Sequence, residues 1–96
     1  MDYIIFIKEF KSEDWENYVS ICNQDIEIIE ELISSQEFEL KIPEDVKKVA
    51  CYKLKSQASS WFYLELPLIN GTRPIDLLDM NDGLIVIKEI LLRIPA

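Results

Sequence analysis

The sequence predicts an α+β protein that is predominantly helical. A strand-helix-strand unit over residues 1–43 is followed by a compact helical domain over residues 44–96. Three observations predict this. The stretch 3–10, YIIFIKEF, is short, β-branched and aromatic, as strands are. The stretch 38–42, FELKI, alternates strictly, with Phe38, Leu40 and Ile42 on one side and Glu39 and Lys41 on the other. Elsewhere apolar residues recur at helical spacing.

The segment between the two expected strands reads as a long helix. Ser12 can cap it, and Glu13 and Asp14 in its first turn suit the positive end of the helix dipole. Trp15, Val19, Cys22, Ile26, Ile29 and Ile33 alternate spacings of four and three, a heptad seam, with Ile21 and Ile28 widening the stripe. A kink or restart fits at Asn23-Gln24-Asp25. The seam is short, so it is read first as an amphipathic helix packed on its own domain and second as an intermolecular coil. The two strands can be parallel through the helix, antiparallel, or paired across a dimer. Two strands alone are marginal and need a cover.

Pro43 ends the second strand and opens the next helix at its favoured first position, with Glu44 and Asp45 behind it. Val46, Val49, Ala50, Leu54, Ala58 and Trp61 keep helical spacing, either as one helix to Leu64 or as two broken near residues 55–57. Both glycines of the chain, Gly71 and Gly83, and two of its four prolines, Pro67 and Pro74, lie between Trp61 and Ile94. Gly71 can take a positive φ and turn the chain. Pro74 fits the first turn of a short helix running to about Met80. Asn81 or Asp82 can cap a last helix ending near Ile94.

In that last helix, at about 100° per residue, Leu84, Ile87, Ile90, Leu91 and Ile94 share one face and are expected in the core. Ile85 and Leu92 fall together on a different flank, between Lys88 and Glu89, and Val86 lies near Arg93 on the opposite side. A second apolar stripe rimmed by charge marks either a partner site or a flank covered by the N-terminal unit.

Composition narrows the function classes. Apolar content of 49% with 29% charged residues is that of a folded domain. No apolar run approaches the roughly 20 residues that span a bilayer, and the first ten residues lack the basic leader and cleavage site of a secretory signal. Cys22 and Cys51 fall inside periodic segments, which predicts buried free thiols and a cytoplasmic location. The net charge is -8, with 13 acids against 7 lysines in residues 1–55 and 5 acids against 3 basic residues after them. Such acidity disfavours direct nucleic-acid binding and suits a basic or mixed-charge protein partner. Lys47, Lys48, Lys53 and Lys55 are the one basic cluster, read as a solvated face.

No catalytic constellation is present, so an enzyme is not expected and no cofactor is implied. The chain has no histidine, its cysteines lack metal-knuckle spacing, and each glycine stands alone and cradles no phosphate. Asp76, Asp79 and Asp82 recur every third residue, but capping and solubility explain them better than a cation site.

The C-terminal stretch also resembles the toxin-binding domain shared by antitoxins of the MbcA, ParS and Xre type. The residues that carry the resemblance are Ala58, Trp61-Phe62, Pro67, Ile69, Gly71, Pro74-Ile75-Asp76-Leu77-Leu78, Gly83, Ile87, Ile90-Leu91 and Arg93-Ile94. It covers about residues 58–94. Glu65-Leu66 stands where the family has Pro-Asn, Thr72 and Arg73 look exchanged, and relatives often carry a Gly and a short tail beyond the place of Pro95-Ala96. The resemblance implies a compact helical toxin-binding-like domain that neutralises a toxin by occluding its active site, the toxin being of the RES-domain, NAD-consuming class. Arg73, Ile85, Lys88, Leu92 and Arg93 are the expected toxin contacts, in a toxin–antitoxin hetero-oligomer or with a homo-oligomer. The N-terminal unit, with its strands and acidity, does not fit a helix-turn-helix. The alternatives are a homodimeric regulator or co-repressor of its own operon, resting on the lysine cluster, and a dimerisation adaptor built on the Trp15–Ile33 seam.

Overall fold

The computed structural model describes residues 3–95. Met1, Asp2 and Ala96 lie outside the described residues, and with them the start of the expected leader-free N terminus and the end of the expected short C terminus. Seven α-helices are described: α1 (Ile4–Glu9), α2 (Ser12–Gln24), α3 (Ile26–Ser34), α4 (Glu44–Leu54), α5 (Ala58–Trp61), α6 (Pro74–Leu77) and α7 (Gly83–Arg93). Short 3-10 turns stand at Lys55–Gln57 and Pro67–Ile69.

The expected strand-helix-strand unit is not there; no strand occurs among the described residues, so the α+β expectation is replaced by an all-helical fold. Residues 4–9 are α1. Their β-branched composition favours a strand, but Tyr3, Phe6, Ile7 and Phe10 also repeat at the spacing of one helix face. That face is what the fold uses: Phe6 is buried, the other three pack half-buried against the core, and α1 lies on α7. Strand propensity is weak against such packing.

The second expected strand, 38–42, is a turn closed by the Ile42 amide donating to the Glu39 carbonyl at 3.1 Å. Its alternation does not mark a face. Ile42 is buried and Phe38 half-buried, but Leu40 is 98% exposed. With no ladder partner, five residues of alternation have nothing to bond to.

The heptad seam is divided at Asp25, whose φ of -115° and ψ of 35° end α2 and begin α3. Trp15, Cys22 and Ile29 of the seam are buried, and both α2 and α3 pack on α4. The seam is therefore spent inside the molecule. Ser12 is the first helical residue and not the cap; Lys11 holds that position without a side-chain bond. Pro43 sits at the cap of α4, extended at φ -62° and ψ 152°, one residue earlier than expected.

Helix α4 is the hub, with Val46, Val49, Ala50 and Cys51 all buried. It ends at Leu54, where Lys55 turns the chain through a φ of 53° and a ψ of -124°. The run to Trp61 is thus two helices. Beyond it, Asn70 and Gly71 both take positive φ, and Leu66 and Thr72 form an isolated antiparallel bridge. Pro74 occupies the first turn of α6, which stops at Leu77 and does not reach Met80. Asp82 precedes α7 but caps nothing with its side chain, because its φ of 60° is left-handed where side-chain capping needs extended backbone.

The core draws on both 1–43 and 44–96, from Phe6 to Leu91. Its radius of gyration, 12.7 Å, matches the roughly 12.5 Å expected for a single folded chain of this length. Among the described residues no helix is long and apolar enough to cross a membrane.

Candidate protein-binding surface

Helix α7 is packed by α1, α4 and α6. Being covered from several sides, it does not divide into one core face and one wet face. Ile87, Ile90 and Leu91 are buried as expected for a core face, whereas Leu84 and Ile94 are half-buried. Val86, expected opposite the core, is buried too. The rigid placement of α7 begins at Gly83. A Cβ on that residue stands 1.6 Å from the Leu77 carbonyl oxygen, so only glycine lets α7 approach α6 this closely. The Ile75 amide donates to the Phe62 carbonyl at 2.9 Å and fixes α6 against the end of α5.

The flank left over carries Ile85 and Leu92, both half-buried. Leu92 and Arg93 line an open depression of about 350 Å³ between α1, α2 and α7, together with Glu9, Asp14, Tyr18 and Ile21. Glu89 also lines it and is only 8% exposed. Arg93 offsets that acid: its Nε donates to Glu89 Oε2 at 2.8 Å, its Nη2 to Glu9 Oε2 at 3.2 Å, and its guanidinium stands 4.7 Å from the centre of the Phe6 ring. Arg93 thus ties α1 to α7, and two carboxylates share its charge.

Lys88 is similarly occupied. Its Nζ lies 3.7 Å from Asp45 Oδ2 and 5.3 Å from the centre of the Trp15 ring. Arg73, at the start of α6, is exposed and pairs with Asp76 at 2.9 and 3.0 Å. That pair raises the arginine's pKa and lowers the aspartate's, through the hydrogen bond first in each case. Of the five residues expected from sequence, the depression gathers Leu92 and Arg93. Ile85 and Lys88 share their helix, and Arg73 stands apart with its own partner.

Sequence reasoning missed Glu9, Asp14 and Tyr18 as neighbours of this flank. Ile21 alone carried an apolar signal, as a residue that widens the seam's stripe. The pairing of Arg93 with Glu9, 84 positions apart, has no local signature.

The lysine cluster does not act as one basic patch. Lys47 pairs with Glu44, and Lys48 donates to Asn23 Oδ1 at 3.2 Å. Lys53 lies 4.5 Å over the Tyr18 ring and donates to the Leu92 and Ile94 carbonyls, closing the negative end of α7. Burial lowers its pKa. Lys55 stands over the Tyr52 ring.

Cys22 and Cys51 are fully buried free thiols. Burial raises both pKa values, that of Cys51 to about 11, so neither presents a ready thiolate. Among the described residues no three acids or cysteines stand close enough to hold a metal ion. The depression offers an apolar wall of Ile21 and Leu92 inside a rim of Asp14, Asn17 and the Glu9–Arg93–Glu89 cluster. Comparison with family models, with curated proteins and with solved structures gave no match.

Proposed function

We propose that this chain is a binding module of the antitoxin kind, which neutralises a toxin protein by seating the outer flank of α7 over its active site. The observation that carries the reading is the contact of Gly83 with the Leu77 carbonyl. It makes the glycine of the resemblance a packing necessity, and it sets α7 in a fixed position with Ile85 and Leu92 on its remaining flank. A net charge of -8 supports a basic or mixed-charge partner. By resemblance the partner is a RES-type, NAD-consuming toxin, held in a hetero-oligomer. Free buried thiols are in keeping with a reducing, cytoplasmic setting.

The test is to purify the tagged chain from its native host with whatever binds it. The expected result is a stoichiometric small protein that consumes NAD when freed and stops when this chain is added back. Ile85→Glu combined with Leu92→Glu abolishes that inhibition while the helical CD spectrum persists. Full inhibition by the double variant removes the α7 flank from the proposal, and a chain recovered alone as a homodimer removes the toxin.

The regulator and adaptor readings have no comparable observation behind them. The lysines of the first are engaged within the molecule, and the seam of the second is buried against α4.

A further inference from the structure

A second surface lies away from the α7 flank, where the loop between α3 and α4 meets the turn after α5. Glu37, Phe38, Glu39, Leu40 and Tyr63 line a depression there of about 390 Å³. The Tyr63 hydroxyl reaches Glu39 Oε1 at 3.5 Å and joins the two loops. Lys41 Nζ bonds to Asp79 Oδ2 at 3.0 Å, which draws the turn carrying Met80 to the same loop. The floor is anchored in the core, since Phe38 packs edge-on against the buried Phe62 with ring centres 6.2 Å apart.

The open area of this depression is more polar than apolar, but large side chains stand in solvent on it and beside it. Leu40 is almost wholly exposed, and Tyr63 and Met80 are exposed as well. Its rim is acidic and not neutralised from within. Among the described residues Glu37 and Glu39 make no ion pair. Three cations of the surrounding elements are committed elsewhere: Lys41 to Asp79, Lys47 to Glu44 and to the face of the Phe38 ring at 5.9 Å, and Arg73 to Asp76. Solvent-exposed apolar side chains beside a floor anchored in the core favour burial against another chain. The unpaired carboxylates beside them favour Lys or Arg and disfavour a second copy of this acidic molecule.

We propose that this loop surface docks a basic amphipathic segment of a partner protein. Apolar side chains of that segment cover Leu40 and Tyr63, and its Lys or Arg residues meet Glu37 and Glu39. The surface shares no residue with the α7 flank, so it stands or falls independently of the antitoxin reading.

The experiment is a fluorescence-anisotropy titration of the whole chain with a labelled synthetic helical peptide made only of leucine and lysine. A serine–lysine peptide of the same charge serves as control. Saturable binding of the leucine–lysine peptide is expected. Leu40→Ser, at an exposed position that the fold does not need, weakens it about tenfold, a loss of about 1.4 kcal/mol. Glu37→Gln with Glu39→Gln weakens it similarly, as does added salt. Ile28→Ser, on the exposed face of α3, leaves it unchanged. Equal affinity for the serine–lysine peptide, or no effect of Leu40→Ser, overturns the proposal. So does a concentration-dependent dimer that Leu40→Ser abolishes, because a second copy then covers the patch.

Discussion

The indole Nε1 of Trp15 donates a 2.8 Å hydrogen bond to Oδ2 of Asp45, from the first turn of α2 to the first turn of α4. Asp45 also accepts from the Val46 amide at 2.9 Å and faces the Lys88 ammonium of α7. One carboxylate therefore fastens three helices. Asp45→Ala is expected to cost about 1.5–3 kcal/mol and Trp15→Phe about 1–2 kcal/mol. In urea unfolding the double variant should lose clearly less than the sum, because both changes remove one shared bond. Simple additivity shows that the bond contributes nothing.

The two glycines should respond very differently to alanine. At Gly83 a Cβ meets backbone at 1.6 Å, so α7 must move off α6. Gly83→Ala should cost about 3 kcal/mol or more. At Gly71 nothing lies within 4 Å, and the penalty is only that of a φ of 78° in a residue with a side chain. Gly71→Ala should cost about 1–2 kcal/mol. Thermal melts of both variants check the order; a milder effect at Gly83 than at Gly71 contradicts the packing described.

Lys55 holds a φ of 53° with a ψ of -124°, a conformation that glycine adopts more easily. Its side chain lies exposed over the Tyr52 ring with Nζ donating to the Tyr52 carbonyl, contacts that water competes with. Lys55→Gly should stabilise the fold by about 1 kcal/mol, a rise in Tm of roughly 4–8 °C. A lower Tm than the parent's assigns the lysine contacts more weight than the strain.

Burial first, and Glu44 second, push the Cys51 thiol up to about 11. In the unfolded chain a thiol loses its proton near pH 8.5–9, whereas the folded chain keeps it until about 11. The folded state binds more protons in that window, so stability is full below it and declines as pH rises through it. The pH dependence of Tm between 9 and 11 should be shallower in Cys51→Ala than in the parent. Identical slopes argue against the shifted thiol. At neutral pH a thiol reagent should label neither cysteine until denaturant is added.

The helices were legible where their period was long. Residues 44–54 and 83–93 show helical spacing over several turns, and Gly71 and Pro74 announced the turn and the helix start between them. Residues 3–10 misled because eight residues satisfy two periods at once. β-Branching pointed one way and the Tyr3, Phe6, Ile7, Phe10 face the other, and the helix that decides between them begins at Gly83. Residues 38–42 misled because alternation was read as a face although the only apolar residue at its centre, Leu40, points to water. At the candidate surface, the Ile85 and Leu92 flank follows from helix geometry alone. The engagement of Lys88 by Asp45 and of Arg93 by Glu9 does not, because ion pairs between distant segments leave no mark on either segment.

The seating of α1 on α7 has a consequence for how the chain is made. A helix of six residues does not hold its shape alone in water. During synthesis residues 4–9 are made well before the surface of α7 that orders them. Until α7 leaves the ribosome, Phe6 and its apolar neighbours have no native surface to cover them, and the nascent chain cannot close its core. Closure of the core therefore waits for α7, and a host chaperone has that interval in which to meet the exposed segment 4–9.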